Sequence, residues 1–286
     1  MRIALIGPTG VLGRALAPLL LQKGYTVRAL ARSAAKARAT LPQALEIVEC
    51  DLLATNADTL APLLQGCDVV AHIATAIPRD FTAPNAWEAN TRLRTDGVRT
   101  LLDAARQAKV GRYLQQSITM AYPDHGDEWI TEDMPLDTTP RRGQVTNPVI
   151  TMEQMIRDTP LDTLQWCILR GANFVGPDTA QAQTLEALRQ GNQVVPCDGR
   201  NFVSLIHVAD IAAAFVAAIE NAPAGSIFNL TAEPLRHGEY LDALADSIGV
   251  SRPKRDESVP CPPSWRCSAQ AAKTKLRWQP THPLVP

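Results

Sequence analysis

Short apolar runs rich in β-branched residues alternate along this chain with longer stretches whose apolar positions recur every three to four residues. The runs at 3–6, 25–30, 45–48, 69–73, 113–116 and 164–169 predict strands, and the stretches at 12–22, 58–65, 87–107 and 152–158 predict helices. This alternation over residues 1–170 predicts an α/β fold, a Rossmann-type doubly wound parallel sheet, whose ligands bind at the carboxyl ends of the strands. After Gly176-Pro177 the pattern loosens, with helices predicted at 184–190, 208–220, 239–248 and 269–276 and strands at 193–196, 202–206 and 226–230. Residues 171–286 therefore read as a smaller C-terminal α+β lobe, with segments crossing back to the first domain and no clean linker. The proline-rich stretch 259–263 is expected to form a surface loop.

Composition narrows the partners. A chain of 286 residues that is 45% hydrophobic can bury a sizeable core, and a formal net charge of −1 leaves no basic footprint for nucleic acid or a bilayer surface. A small molecule is the expected partner. Six cysteines are scattered without a C-x-x-C pair, so no zinc site is spelled out, and reduced, mostly buried thiols are expected. Gly7 and Pro8 interrupt the first apolar run, and no apolar stretch reaches 18 residues, so a soluble, cytoplasmic protein is expected.

The junction of the first strand and helix reads Gly7-Pro8-Thr9-Gly10-Val11-Leu12-Gly13. Glycines at this spacing allow a tight turn, close approach of a pyrophosphate to the backbone, and close helix–strand packing, while the helix N-terminus offers free N–H groups. A dinucleotide is the expected ligand, with 1–170 as the NAD(P)-binding domain and 171–286 as the substrate-binding lobe. The second strand runs out at Arg32, and no Asp or Glu occurs before Glu46, so this stretch supplies no carboxylate for an adenosine ribose hydroxyl. Arg32 is placed to grip a 2′-phosphate, which favours NADP(H) over NAD(H).

Further segments carry a family resemblance: Cys50-Asp51-Leu52 after the third strand, His72-Ile73-Ala74-Thr75 after the fourth, and Asn90 in the following helix. They continue with Ser117 at the end of strand five, Leu169-Arg170-Gly171-Ala172-Asn173 through Gly176-Pro177, His207-Val208-Ala209-Asp210, and Lys273 through Leu276 to Trp278. With the glycine turn, this ordered set resembles the extended, atypical branch of the short-chain dehydrogenase/reductase superfamily, the NAD-dependent epimerase/dehydratase family. The resemblance implies that Asp51, Leu52, Ala74 and Asn90 join the glycine turn and Arg32 around the cofactor, that His207 and Asp210 are structural, and that Asn173 lines the substrate cleft. It also suggests a homodimer through the helices after strands four and five.

One part of the family pattern is missing. No lysine occurs between Lys109 and Lys254 and no tyrosine between Tyr122 and Tyr240, so the Tyr-x-x-x-Lys pair has no counterpart in the stretch that should carry it. Aligning Glu153 on the family's glutamate puts Val145 at the tyrosine position and Val149 at the lysine position, and Ile118 falls where an active-site hydroxyl belongs. Ser117, Thr119, Tyr122 and His125 are the candidate substitutes, while Arg141 and Arg142 are read as surface charge. Two functions follow as expectations. One is an NADP(H)-binding sensor, scaffold or non-redox protein whose conventional hydride transfer is lost. The other is an active reductase, epimerase or dehydratase using substitute residues on a carbonyl compound or nucleotide sugar.

Overall fold

The structure, a computed structural model, describes every residue except 79, 81 and 82. Its centre is a seven-stranded parallel sheet in the order Ser226–Leu230, Gln165–Gly171, β5 (Arg112–Ile118), β4 (Val69–His72), β1 (Arg2–Ile6), β2 (Thr26–Ala31) and β3 (Glu46–Glu49). Ile3, Ala4, Leu5 and Ile6 are all buried, as expected of a central strand covered on both faces. β1 pairs with β2 on one side and β4 on the other, so the strand order reverses between β1 and β4, the place where doubly wound sheets open a ligand crevice.

Helices α1 (Val11–Gln22), α2 (Ala34–Thr40) and α3 (Ala57–Leu64) connect the first four strands. Between β4 and β5 the predicted helix is real but interrupted: α4 (Glu88–Arg92) passes through a π-type turn, Leu93–Gly97, into α5 (Val98–Gln107). α6 (Gly143–Arg157) begins nine residues before the predicted helix at 152. Gly143, Thr146 and Pro148 disguise it as loop, yet Gly143, Thr146, Val149, Met152, Glu153 and Ile156 form one buried face at helical spacing. Pro148 removes only one ladder hydrogen bond, and packing along the rest of that face carries the helix past it.

The chain divides into two compact units, each built from three stretches: Met1–Ser117, Leu136–Leu169 and Phe215–Ile227, and then Ile118–Pro135, Arg170–Ala214 and Phe228–Pro286. The second contains the helices Gln181–Arg189 and His237–Ser247 around a core of Val175, Leu188, Val195, Leu205, Leu241 and Leu244. Within it, buried Asp210 accepts the backbone N–H groups of Thr281 and His282 and the His282 ring nitrogen at 2.7 Å, while His207 stacks on His282 with centroids 4.7 Å apart. That carboxylate is thus occupied in holding the C-terminal tail. A Cβ added at Gly171 would lie 2.6 Å from Ile211 Cδ1. The expectation of reduced thiols throughout fails at one place, since Cys197 and Cys261 form a disulfide across 64 residues. Cys50, Cys67, Cys167 and Cys267 are free thiols. Among the described residues no helix is long and apolar enough to cross a membrane.

Candidate functional site

The glycine turn separates cleanly into residues the fold needs and one it does not. Gly7 has φ +91°, and a Cβ there would stand 2.6 Å from Ala74 Cα. At Gly13 it would stand 2.3 Å from the Pro8 carbonyl oxygen, so both positions exclude side chains for internal reasons. Gly10 is different, because its Cβ would meet nothing closer than the Gly7 carbonyl oxygen at 3.5 Å. The room above Gly10 is kept free by sequence, as a phosphate approaching the backbone requires. α1 opens there with no side-chain cap and no acidic residue in its first turn, leaving its N-terminal N–H groups and dipole for an anion. Arg14 Nη1 donates to the Thr9 carbonyl at 2.8 Å and braces the loop, while Leu12 packs inward and Val11 is partly exposed. This cradle fits a dinucleotide pyrophosphate.

At the end of β2, Arg32 is exposed and makes no hydrogen bond or ion pair among the described residues. The parallel register sets Ala31 opposite Glu49, whose Oε2 accepts the Ala34 N–H at 2.8 Å. A carboxylate therefore does reach this corner, from β3, although residues 1–45 contain none. Asp51 is exposed and caps its own turn through Leu53 N–H at 3.0 Å, and buried Leu52 lies against Gly97, where a Cβ would come within 3.1 Å of it. Asn90 is buried and accepts the Ala76 N–H at 3.2 Å, pinning the loop after β4 whose Ala74 packs on Gly7. Gly7, Ala74 and Asn90 are thereby brought together at the switch point.

Below this edge runs a buried polar ladder that the sequence reading missed. Tyr113, Gln115 and Ser117 alternate along β5, so all three side chains share one sheet face. The Tyr113 hydroxyl donates to Gln115 Oε1 at 2.6 Å, and His72 Nδ1 lies 2.9 Å from the same oxygen. Since that oxygen can only accept, His72 carries its proton on Nδ1. Burial pulls the imidazole down to about 4, with the hydrogen bond it donates to Gln115 opposing and the Arg94 charge assisting, so the ring is neutral near pH 7. The Ser117 hydroxyl donates to Glu153 Oε1 at 2.7 Å, and Arg157 pairs with the other carboxylate oxygen at 3.1 Å. Arg94, on the π-type turn, is buried beside Met152 and Glu153. Helical spacing was the available signal: positions 90, 94, 98, 101 and 105 form the buried stripe, with a charge in it.

The remaining candidates are already engaged. Val149 is fully buried and Val145 is half-exposed, and neither carries a polar side-chain atom. In the second unit, the buried Thr119 hydroxyl bonds the Cys267 thiol. Tyr122 is completely buried, donates to Asn229 Oδ1 at 2.9 Å and accepts from Arg170 Nη1, and burial pushes its phenol up to about 12. His125 sits half-buried in its loop, with a backbone N–H to the Ser264 carbonyl and Nε2 unpartnered among the described residues. Arg142 pairs with Asp137 at 3.3 Å, and Arg141 is exposed.

A model of the NAD dependent epimerase/dehydratase family matches residues 3–231. The chain belongs to that family. One relative, a 3-diazoavenalumate denitrifying reductase from a Streptomyces species, is 31% identical over 303 residues, covering 99% of this chain and 97% of its own. Another, a 4-hydroxy-2-methyl-3-oxo-4-farnesyl-3,4-dihydroquinoline-1-oxide ketoreductase from Stigmatella aurantiaca, is 28% identical over 254 residues, covering 87% of this chain and 74% of its own. Among solved structures, UDP-glucuronic acid 4-epimerase from Bacillus cereus, in complex with UDP-glucuronic acid and NAD, superposes with a TM-score of 0.83 at 21% identity, covering 99% of this chain and 95% of that one. This likeness shows that the two chains share one fold.

Proposed function

We propose that this chain is a nicotinamide-dependent reductase acting on an electrophile that needs no proton from the protein, with a diazo-substituted aromatic carbon as the substrate class. The observation that carries this reading is the state of the hydroxyls. Ser117 is bonded to Glu153, Thr119 to Cys267 and Tyr122 to Asn229 and Arg170, while Val145 and Val149 stand at the aligned tyrosine and lysine positions. A ketone reduced by hydride becomes an alkoxide and has to be protonated, and losing a positioned acid costs about 10²–10⁴ in rate. A diazonium carbon has no such requirement, because its leaving group departs as neutral N2.

When bound, the dinucleotide supplies a hydride, and the overall change balances as arenediazonium plus reduced nicotinamide giving arene, N2 and oxidised nicotinamide. The protein's part is to bind and orient. Gly7, Thr9, Gly10, Val11, Leu12 and Gly13 would cradle the pyrophosphate, Asp51 and Leu52 would flank the adenine, and Ala74, held by Asn90, would back the nicotinamide end. The valines put no proton donor at the aligned tyrosine and lysine positions. The full-length resemblance to a denitrifying reductase supports the assignment. NADP(H) is the proposed donor, on the strength of the uncommitted Arg32, with Glu49 as the opposing charge beside it. Cytoplasmic placement, where that cofactor pool lies, belongs to the proposal.

The test is NADPH oxidation with diazotised 3-aminobenzoate, followed at 340 nm together with N2 release. Stoichiometric N2 and transfer of deuterium from NADPD to the ring carbon are expected. Binding of NADPH without turnover would replace this reading by a cofactor-holding protein. Turnover of ketones without N2 release would favour carbonyl reduction, the activity named for the second relative.

A further inference from the structure

Asn90 and Arg94 stand four residues apart on the helix after β4, the spacing that stacks side chains on one face. Asn90 holds the loop packed on the glycine turn. One turn further, the π-type turn lays Arg94 against α6, with Nη1 3.6 Å from the Met152 sulfur. Arg94 is 6% exposed, its Nε is buried without a hydrogen-bond partner among the described residues, and Glu153, the carboxylate within electrostatic reach, is already shared by Ser117 and Arg157. Side chains on a helix lean toward its amino end, so Met152 and Glu153 bring the guanidinium to the turn of α6 that carries Val149.

Stability gives little reason to keep such a group. A guanidinium has five N–H donors, and a thioether is a weak acceptor. Replacing a buried ionic group by well-packed apolar side chains is often neutral or stabilising so long as no partner charge is stranded, and Glu153 would keep Arg157. π-type turns, moreover, recur at functional sites. Ligands of doubly wound sheets sit at the strand ends, and Arg94 lies beside the carboxyl end of β4.

We propose that Arg94 is a dinucleotide-binding residue that holds the nicotinamide-ribose half of the cofactor from the helix after β4 and supplies the cation that Val149 cannot. The assignment rests on the nicotinamide reading given above. Burial lowers the guanidinium to about 10, against the opposing pull of Glu153, so it remains charged at neutral pH.

Calorimetric titration of Arg94→Met and Arg94→Lys with NADPH, NADH and ADP, alongside thermal unfolding, tests this. The Met variant is expected to unfold at or above the wild-type temperature and to bind the full dinucleotide ten- to a hundredfold more weakly, the loss typical of a charge-assisted hydrogen bond, roughly 1.5–3 kcal/mol. ADP, which lacks the nicotinamide ribose, should bind with unchanged affinity, and Arg94→Lys should recover part of the loss. If the Met variant does not fold, Arg94→Gln takes its place in the same comparison. Unchanged dinucleotide affinity in a folded variant, or an equal loss for ADP, would overturn the proposal. Wild-type protein binding none of the three nucleotides would instead sink the nicotinamide reading itself.

Discussion

Changing Tyr122 to Phe separates a tyrosine that packs from one that does chemistry. Its hydroxyl lies 2.9 Å from Asn229 Oδ1 and accepts from Arg170 Nη1, and the guanidinium carbon sits 5.0 Å from the ring centroid. Tyr122→Phe leaves the ring and its cation–π contact in place but takes one acceptor from Arg170 and one donor from Asn229, both buried. A hydrogen bond to a charged group contributes about 1.5–3 kcal/mol, and stranding a buried polar group costs about 1–3 kcal/mol, so the combined loss is about 3 kcal/mol. Unfolding entropy of about 2.1 cal/mol/K per residue, over 286 residues, is about 600 cal/mol/K, which translates the loss into a fall in Tm of about 5 °C.

Circular-dichroism melting run beside initial rates reads both quantities, and the expected result is a lower Tm with kcat essentially unchanged. The alkaline limb adds an independent check. Because folding raises the phenol from 10.0 to about 12, its stabilising contribution is complete below pH 10 and is lost as pH climbs through about 12; the Phe variant should lack that decline. A drop in kcat of about 10²–10⁴ at unaltered Tm would refute the reasoning and make Tyr122 the missing acid.

His72, lowered by burial from 6.5 to about 4, contributes stability that is present above pH 6.5 and fades as pH falls toward 4, about 3 kcal/mol in all; urea unfolding at stepped pH should show that slope, and His72→Gln should flatten it. Arg32→Ala should raise the KM for NADPH about ten- to a hundredfold with little change for NADH, while Glu49→Gln, relieving repulsion of a 2′-phosphate, should shift the NADPH/NADH preference the other way. A ratio unmoved by either change would remove both residues from cofactor choice. Replacing Cys197 and Cys261 by Ser opens a 64-residue loop worth up to about 4 kcal/mol of unfolded-state entropy, so the double variant and the reduced wild type should melt at the same lowered temperature. Val145→Tyr together with Val149→Lys should bring measurable ketone reduction if the valines are what withholds it, and continued silence toward ketones in a folded variant would locate the block elsewhere.

The sheet was readable because strands such as β1 are covered on both faces and so appear as unbroken apolar runs, and the glycine turn was readable because Gly7 and Gly13 exclude any Cβ. What escaped depends on neighbours distant in sequence. Ser117 and Tyr122 announce hydroxyls, but their partners Glu153 and Asn229 lie 36 and 107 residues away. Glu49 escaped the argument about carboxylates near Arg32 because parallel pairing, rather than chain proximity, brings it opposite Ala31. The first half of α6 was hidden by Gly143 and Pro148, whose local preferences lose to a continuous buried face.

These concealed contacts bear directly on the chemistry. From sequence, a chain without the tyrosine and lysine still holds serine, threonine and tyrosine near the end of β5, any of which could be imagined donating a proton. Each of those hydroxyls is buried and committed to a specific acceptor or donor, and freeing one would strand its partner in a low-dielectric interior. Substitution of the lost acid from this set is therefore opposed by the fold's own stability. Under the function proposed above, two roles are consistent with these committed hydroxyls, holding a dinucleotide without reacting it or passing hydride to a carbon whose leaving group carries the electron pair away unprotonated, and the second is the one proposed.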